Sequence, residues 1–272
     1  MSLKKEASGR RSVQAEVEVP GTPEQVWEVI ATGPGVSSWF VPTQIEGREG
    51  GEVLASFGPD MDSAAKITVW DPPHRFVAES KDLGPEAPPV ATEWIVEARS
   101  GGTCVVRVVN SLFASSDEWD DQLEGYESGW PAWFRVLRLY LTYFPDQSGA
   151  SFRLTGFVPG TDEAAAWEAL AGPLGLSGVA VGQRWRTDGG PTPLAGWIEG
   201  TGDNGLHRTE IRLDEPAPGL IFLFAHLMGD KIYLAVNAFL YGDGAAAAAA
   251  RLEPVWQTWM QERFGAVEGA PG

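Results

Sequence analysis

The sequence predicts an α+β protein in which an antiparallel β-sheet wraps around one long helix, with this arrangement present twice in tandem. Three observations carry that prediction. Short segments with alternating apolar side chains, the pattern of half-buried strands, follow one another between Gly- and Pro-rich turns. Each run of strands ends in a segment whose aromatic and aliphatic residues fall at helical spacing. Finally, two short matches recur in the same order. Val19-Pro20-Gly21-Thr22 returns as Val158-Pro159-Gly160-Thr161, and Pro131-Ala132-Trp133 returns as Pro254-Val255-Trp256. The domains expected are residues 12–145 and 150–266, the second a diverged copy of the first.

In the first copy, Ser12–Val19 alternates Val13, Ala15, Val17 and Val19 and reads as a strand. Thr22 or Gly21 caps a short helix, Pro23–Ala31, with Pro23 at its first position. Gly33-Pro34-Gly35 reads as a break before a short segment, Val36–Phe40. Strands are then expected at Gln44–Arg48, Glu52–Phe57, Ala65–Asp71, Arg75–Ser80, Thr92–Ala98 and Thr103–Ser111. The turns between them hold Pro42, Gly50-Gly51, Pro72-Pro73, the Pro85–Pro89 loop and Gly101-Gly102. The closing helix has Ser115 or Ser116 as its natural cap and carboxylates in its first turn, which suit the positive end of the helix dipole. Trp130, Trp133, Phe134, Leu137 and Leu141 share helical spacing, and Pro131 marks a kink or restart.

The second copy begins with a strand at Ser151–Val158 and a helix at Asp162–Ala171. Further strands are expected at Val179–Arg186, Leu194–Thr201, His207–Leu213, Leu220–His226 and Lys231–Tyr241, one fewer than in the first copy. A closing helix starts near Asp243 and carries Trp256, Trp259 and Met260.

Composition narrows the function. Of 272 residues, 43% are hydrophobic and 21% charged, so a core is affordable and disorder is not expected. Net charge is −17, and both halves are acidic. That field repels phosphate backbones and anionic lipid surfaces, and no basic stripe offsets it, so neither nucleic acid nor membrane is expected as a partner. Cys104 is the single cysteine, which rules out an internal disulfide or a Cys-rich metal site. Alternation with Val106 and Val108 makes it a small buried residue rather than a nucleophile. The first twenty residues hold no apolar stretch of the secretory type, and Leu220–Ala225 is far short of the ~20 residues a membrane helix needs. The reading is a soluble protein of a reducing cytoplasm.

Four groups of residues carry a resemblance: Val19-Pro20-Gly21-Thr22-Pro23-Glu24-Gln25-Val26-Trp27; Trp39-Phe40-Val41-Pro42 with Gly50-Gly51-Glu52; Val69-Trp70-Asp71-Pro72-Pro73-His74-Arg75-Phe76; and Gly129-Trp130-Pro131. Over residues 12–145 the chain resembles the START/Bet v 1-like (SRPBCC) superfamily, and within it the subfamily named after the Aha-type activator of the heat-shock chaperone ATPase. The resemblance implies a helix-grip fold with a cavity between sheet and long helix. The second half has Asp214-Glu215-Pro216-Ala217-Pro218-Gly219 where the Asp-Pro-Pro turn is expected.

The resemblance places Trp39, Phe40, Trp94, Trp130, Trp133 and Phe134 at the wall and mouth of that cavity, as ligand-binding candidates. Trp185, Trp197, Phe222, Phe224, Trp256 and Trp259 are rough counterparts in the second copy. Core filling is the competing role for each, because an aromatic buries a large area.

The chemistry-bearing residues are sparse. There is no Gly-x-Ser-x-Gly elbow, no phosphate-binding Gly-x-x-x-x-Gly-Lys loop and no His pair at metal-ligand spacing, so neither a metal nor a cofactor is expected. The acidic run Asp117–Glu127 reads as a solvated helix start. The leading functional reading is binding of a small hydrophobic or aromatic molecule without strong catalysis; protein partners are unknown. A second is an enzyme of the cyclase/aromatase kind, with His74, Glu93 or His226 doing acid–base work inside the pocket. The third, a chaperone-ATPase activator, follows from the subfamily name alone. The 272 residues show no separate activator domain of the kind such co-chaperones carry, which ranks it last.

Overall fold

A computed structural model describes residues 3–57, 62–81, 87–187, 189–202 and 207–265, the side chains of residues 127 and 128 aside. Pro85 of the expected loop, residue 266 at the end of the expected second domain, and the Glu127 side chain of the acidic run lie outside the described residues. The chain divides into two units, Met1–Pro145 and Asp146–Gly272.

The N-terminal unit runs β1 (Lys4–Lys5), β2 (Arg10–Pro20), α1 (Pro23–Ile30), α2 (Gly33–Ser37), β3 (Thr43–Ile45), β4 (Glu52–Ser56), β5 (Asp62–Asp71), β6 (Arg75–Ser80), β7 (Val90–Arg99), β8 (Thr103–Phe113) and α3 (Asp120–Tyr143). Its single antiparallel sheet has the order β1-β2-β8-β7-β6-β5-β4-β3. The first long strand thus pairs with the last, from Arg10 against Phe113 to Pro20 against Thr103. The others follow as a meander that curls round one face, and α3 lies along β2.

Local chemistry explains the turns into the helices. Thr22 and Gln25 form a reciprocal capping box at α1, with Pro23 at the first position. Gly33-Pro34-Gly35, expected to break the chain, instead starts α2. Thr32 caps it by accepting from the Gly35 amide (3.1 Å), and Gly35 lies against the Glu28 carbonyl, where a Cβ would collide.

The start of α3 departs from expectation as well. Neither Ser115 nor Ser116 caps it; the helix begins at Asp120 after Trp119, with no side-chain cap. Basic residues of the first strands take over the acidic segment. Lys5 reaches Asp120 (2.5 Å) and Asp117 (3.1 Å), and Arg11 reaches the same two carboxylates at 2.5 and 2.7 Å. The Lys5 ammonium, followed by the Arg11 guanidinium, holds the Asp117 carboxyl below its ordinary range. For Asp120 the same two cations outweigh the upward push of burial. Pro131 sits inside α3, which continues through it at the loss of one backbone hydrogen bond.

The C-terminal unit runs β9 (Gly149–Pro159), α4 (Glu163–Ala171), a 3₁₀ turn (Gly172–Leu174), β10 (Arg184–Thr187), β11 (Leu194–Thr201), β12 (His207–Glu215), β13 (Gly219–Met228), β14 (Lys231–Tyr241) and α5 (Ala245–Phe264). Its sheet order is β10-β11-β12-β13-β14-β9. Again the first strand pairs with the last and a meander follows. Counted from that shared pair, the hairpin equivalent to β5–β6 is β11–β12. The Asp214–Gly219 turn joins β12 to β13, so it does not take the place of the Asp-Pro-Pro turn expected for it.

This unit is packed between sheet and helix by Phe152, Leu154, Leu170, Trp185, Ile198, Ile211, Leu223, Leu234, Trp256 and Met260. Trp185 Nε1 donates to the Leu174 carbonyl and Trp256 Nε1 to Thr192 Oγ1, both at 3.0 Å. Two large aromatic residues thus fill its middle with their polar edges satisfied.

Candidate functional site

The N-terminal unit is hollow where its counterpart is filled. A cavity of about 660 Å³ lies between the curled sheet and α3. Strand alternation determines which residues face it. Val53 and Ala55 come from β4, Ser63 and Ala65 from β5, Phe76, Ala78 and Ser80 from β6, and Thr92 and Trp94 from β7, each set spaced by two. Asn110 of β8 closes the floor, and Gly125, Tyr126, Gly129, Trp130 and Trp133 of α3 form the roof. Asp62, Gly125 and Gly129 are exposed at its rim, whereas Ile30, Phe76 and Asn110 are buried.

One connected set of rings forms the wall. Phe40 stacks on Trp130 (centroids 5.7 Å apart, 29°) and meets Trp133 edge-on at 4.8 Å. Trp130 in turn meets Trp94 edge-on at 5.1 Å. A hydrogen bond fixes Trp130: its Nε1 donates to Asn110 Oδ1 at 2.8 Å, while Asn110 Nδ2 donates to Thr92 Oγ1 at 2.9 Å. Because an indole N–H can only donate, this contact also sets which end of the Asn110 amide is oxygen.

Of the six aromatic candidates, Phe40, Trp94, Trp130 and Trp133 line the cavity. Trp39 and Phe134 do not. Trp39 is fully buried behind the wall, where its Nε1 donates to the Val29 carbonyl at the end of α1 (3.1 Å), and Phe134 stacks on the far side of Trp130 (5.7 Å, 28°). Helical and turn geometry puts neighbouring aromatics on different sides, a distinction that adjacency in sequence hides. Sequence reasoning also missed Asn110 and Thr92. An Asn among the valines of β8 was the available signal, since a buried amide needs a partner.

The proposed acid–base residues stand elsewhere. His74 is exposed in the β5–β6 turn, Glu93 is ion-paired to Arg75 on the face opposite Trp94, and His226 is exposed. None of the three lines the cavity. The catalytic reading built on them therefore lacks its groups.

In the second unit Trp185, Trp256 and Trp259 belong to the core. Phe222 and Phe224 fall on the face of β13 opposite core residues Ile221 and Leu223, and Trp197 is exposed beneath the Arg184 guanidinium. The run Leu220–Ala225 is apolar on both faces, so its parity was invisible in sequence. Cys104 is buried, its Sγ 3.3 Å from the Gly21 carbonyl, and burial pushes its thiol pKa up. Among the described residues, no helix is long and apolar enough to cross a membrane.

Fold and cavity together define a helix-grip unit built around an aromatic-walled pocket. Residues 20–142 match the family model described as Activator of Hsp90 ATPase homolog 1-like protein, a match that falls within the N-terminal unit. Three solved structures illustrate the similarity, each with a TM-score of 0.41. CalU16 from Micromonospora echinospora is 15% identical over 52% of this chain and 83% of its own. The Aha1 dimer from Colwellia psychrerythraea is 14% identical, over 48% and 96%. DynU16, from the dynemicin biosynthetic locus, is 15% identical, over 92% and 95%. No curated protein matches the chain.

Proposed function

We propose that the N-terminal unit binds a small hydrophobic or aromatic molecule in the cavity between sheet and α3, with Phe40, Trp94, Trp130 and Trp133 as its packing walls. The observation that supports this most directly is the cavity of about 660 Å³. Its size is that of a small-molecule site, and its surface is mostly apolar with a few placed polar groups. Trp39 and Phe134 act in this reading as the supporting layer, which fixes the orientation of Trp94 and Trp130. The second unit serves no ligand role in this proposal.

The test is native mass spectrometry of the full chain purified from its own host, followed by organic extraction. A co-purifying apolar molecule at about one per chain supports the reading and names the class. Bare protein, together with no thermal shift from a library of aromatic and lipid molecules, refutes it.

A further inference from the structure

The two units treat their first long strand differently. In the C-terminal unit β9 is the outer strand of its sheet and pairs on one side only, with β14. Gly160 N donates to the Asp230 carbonyl at one end of this pairing, and Gly242 N to the Ser148 carbonyl at the other. Bonded positions alternate along an antiparallel ladder, so the even-numbered residues of β9 are the ones that bond to β14. The N–H and C=O groups of Ser151, Arg153, Thr155 and Phe157 therefore point away from the sheet, and among the described residues no strand meets them. An open edge of this kind is a template for another chain, and charged side chains are a common guard against it. The corresponding strand of the N-terminal unit, β2, is guarded: β1 pairs with Arg11 and Ser12 near its beginning. When β2 and β9 are aligned on their Val-Pro-Gly-Thr ends, Glu16 and Glu18 fall where β9 has Thr155 and Phe157. Arg153 is the one charged residue of β9, and its guanidinium donates to the Tyr233 hydroxyl at 3.0 Å.

We propose that β9 is a self-association surface, on which two copies of the chain pair β9 to β9 antiparallel and join their six-stranded sheets edge to edge. The partner is a second copy because the edge complements itself. A two-fold axis at Leu154 sets Ser151 opposite Phe157 and Arg153 opposite Thr155, and each outward N–H and C=O of these four residues then gains a partner. Neighbouring registers are poorer. A shift one way sets the two Arg153 side chains against each other, and a shift the other way sets Ser151 against Pro159, which has no N–H to give.

The test follows the full chain by analytical ultracentrifugation and residue-resolved hydrogen exchange over a concentration series, since a net charge of −17 on each copy opposes association. The even-numbered amides of β9 should be protected at every concentration. Those of Ser151, Arg153, Thr155 and Phe157 should exchange freely when dilute and slow by about tenfold or more as the dimer fills. Two substitutions at one position check the register. Thr155→Glu sets a carboxylate opposite Arg153 of the other copy, twice by symmetry, and should tighten the dimer about fivefold. Thr155→Arg sets arginine against arginine and should weaken it by about as much. A substitution that only disturbs the strand would move both in the same direction. A chain that stays monomeric throughout the series, or a dimer that responds alike to Glu and Arg, would overturn the proposal. Protection of the four outward amides even at high dilution would overturn it too, because the edge would then be covered already.

Discussion

Replacing Trp39 by Phe separates a supporting residue from a ligand contact. In the structure its indole is fully buried and donates to the Val29 carbonyl at 3.1 Å, one of the last carbonyls of α1 that no helical N–H can reach. Phenylalanine keeps a ring against Trp94 but removes the donor. Leaving a buried carbonyl without a partner costs about 1–3 kcal/mol, and the smaller ring opens a void worth about 1–2 kcal/mol. A loss near the middle, about 3 kcal/mol, lowers the melting temperature by about 6–12 °C for a unit of this size. Differential scanning calorimetry on the full chain reads this directly. Affinity for an uncharged anthracene probe, measured where the variant is folded, should stay within about twofold, because Trp39 stands behind the wall. A shift below about 2 °C would show that the indole hydrogen bond is not made. A large loss of probe affinity with little loss of stability would instead place Trp39 in the pocket.

Other outcomes follow from the same geometry. Trp133→Ala, at a half-buried wall position, should weaken probe binding about tenfold or more while costing less stability than Trp39→Phe; calorimetry and fluorescence quenching together check this. Gly35→Ala forces a Cβ onto the Glu28 carbonyl and should destabilise by about 1–3 kcal/mol in the same calorimeter. Gly125→Ala, in open space on α3, should stabilise by about 0.5–1 kcal/mol. Acid should loosen the start of α3. The Asp117 and Asp120 carboxyls are held below the ordinary 3.8, so their contribution is complete above that pH and is lost as pH falls through their lower folded values. Hydrogen exchange of the Lys5 and Leu123 amides, corrected for intrinsic rates, should therefore be flat at higher pH and accelerate below about 3.8. Cys104 should resist alkylation by iodoacetamide in the native chain and react on denaturation, as a buried thiol with a raised pKa does.

Most strands were legible in the sequence because the sheet of the N-terminal unit has one buried face. Arg75–Ser80 falls where alternation and the flanking turn put it, and β7 and β8 each extend past the expected segments by a residue or two. Where side chains from distant segments decide, the sequence was silent. The start of α3 depends on Lys5 and Arg11, more than a hundred residues upstream of the carboxylates they hold. Lys4–Lys5 forms a strand only by pairing with Arg11 and Ser12. The site was half legible. Aromatic abundance pointed to the right segments, but whether a tryptophan faces the hollow or backs it depends on rotations of the chain around Phe40 and along α3. Asn110 and Thr92, on neighbouring strands and directly paired in register, become a unit only once those strands are side by side.

The empty interior of the N-terminal unit also determines how freely its sequence can change. Ala55, Ala65 and Ala78 border open space, so a larger or smaller side chain at these positions reshapes the hollow without displacing a packed neighbour. In the C-terminal unit the same region holds Trp185 and Trp256, each tied by its indole N–H to a particular oxygen, and a change in either strands a partner. The two units of the chain thus differ in how much change their interiors accept. Single substitutions can reshape the cavity of the first, whereas the packing around Trp185 and Trp256 in the second accepts only coordinated changes.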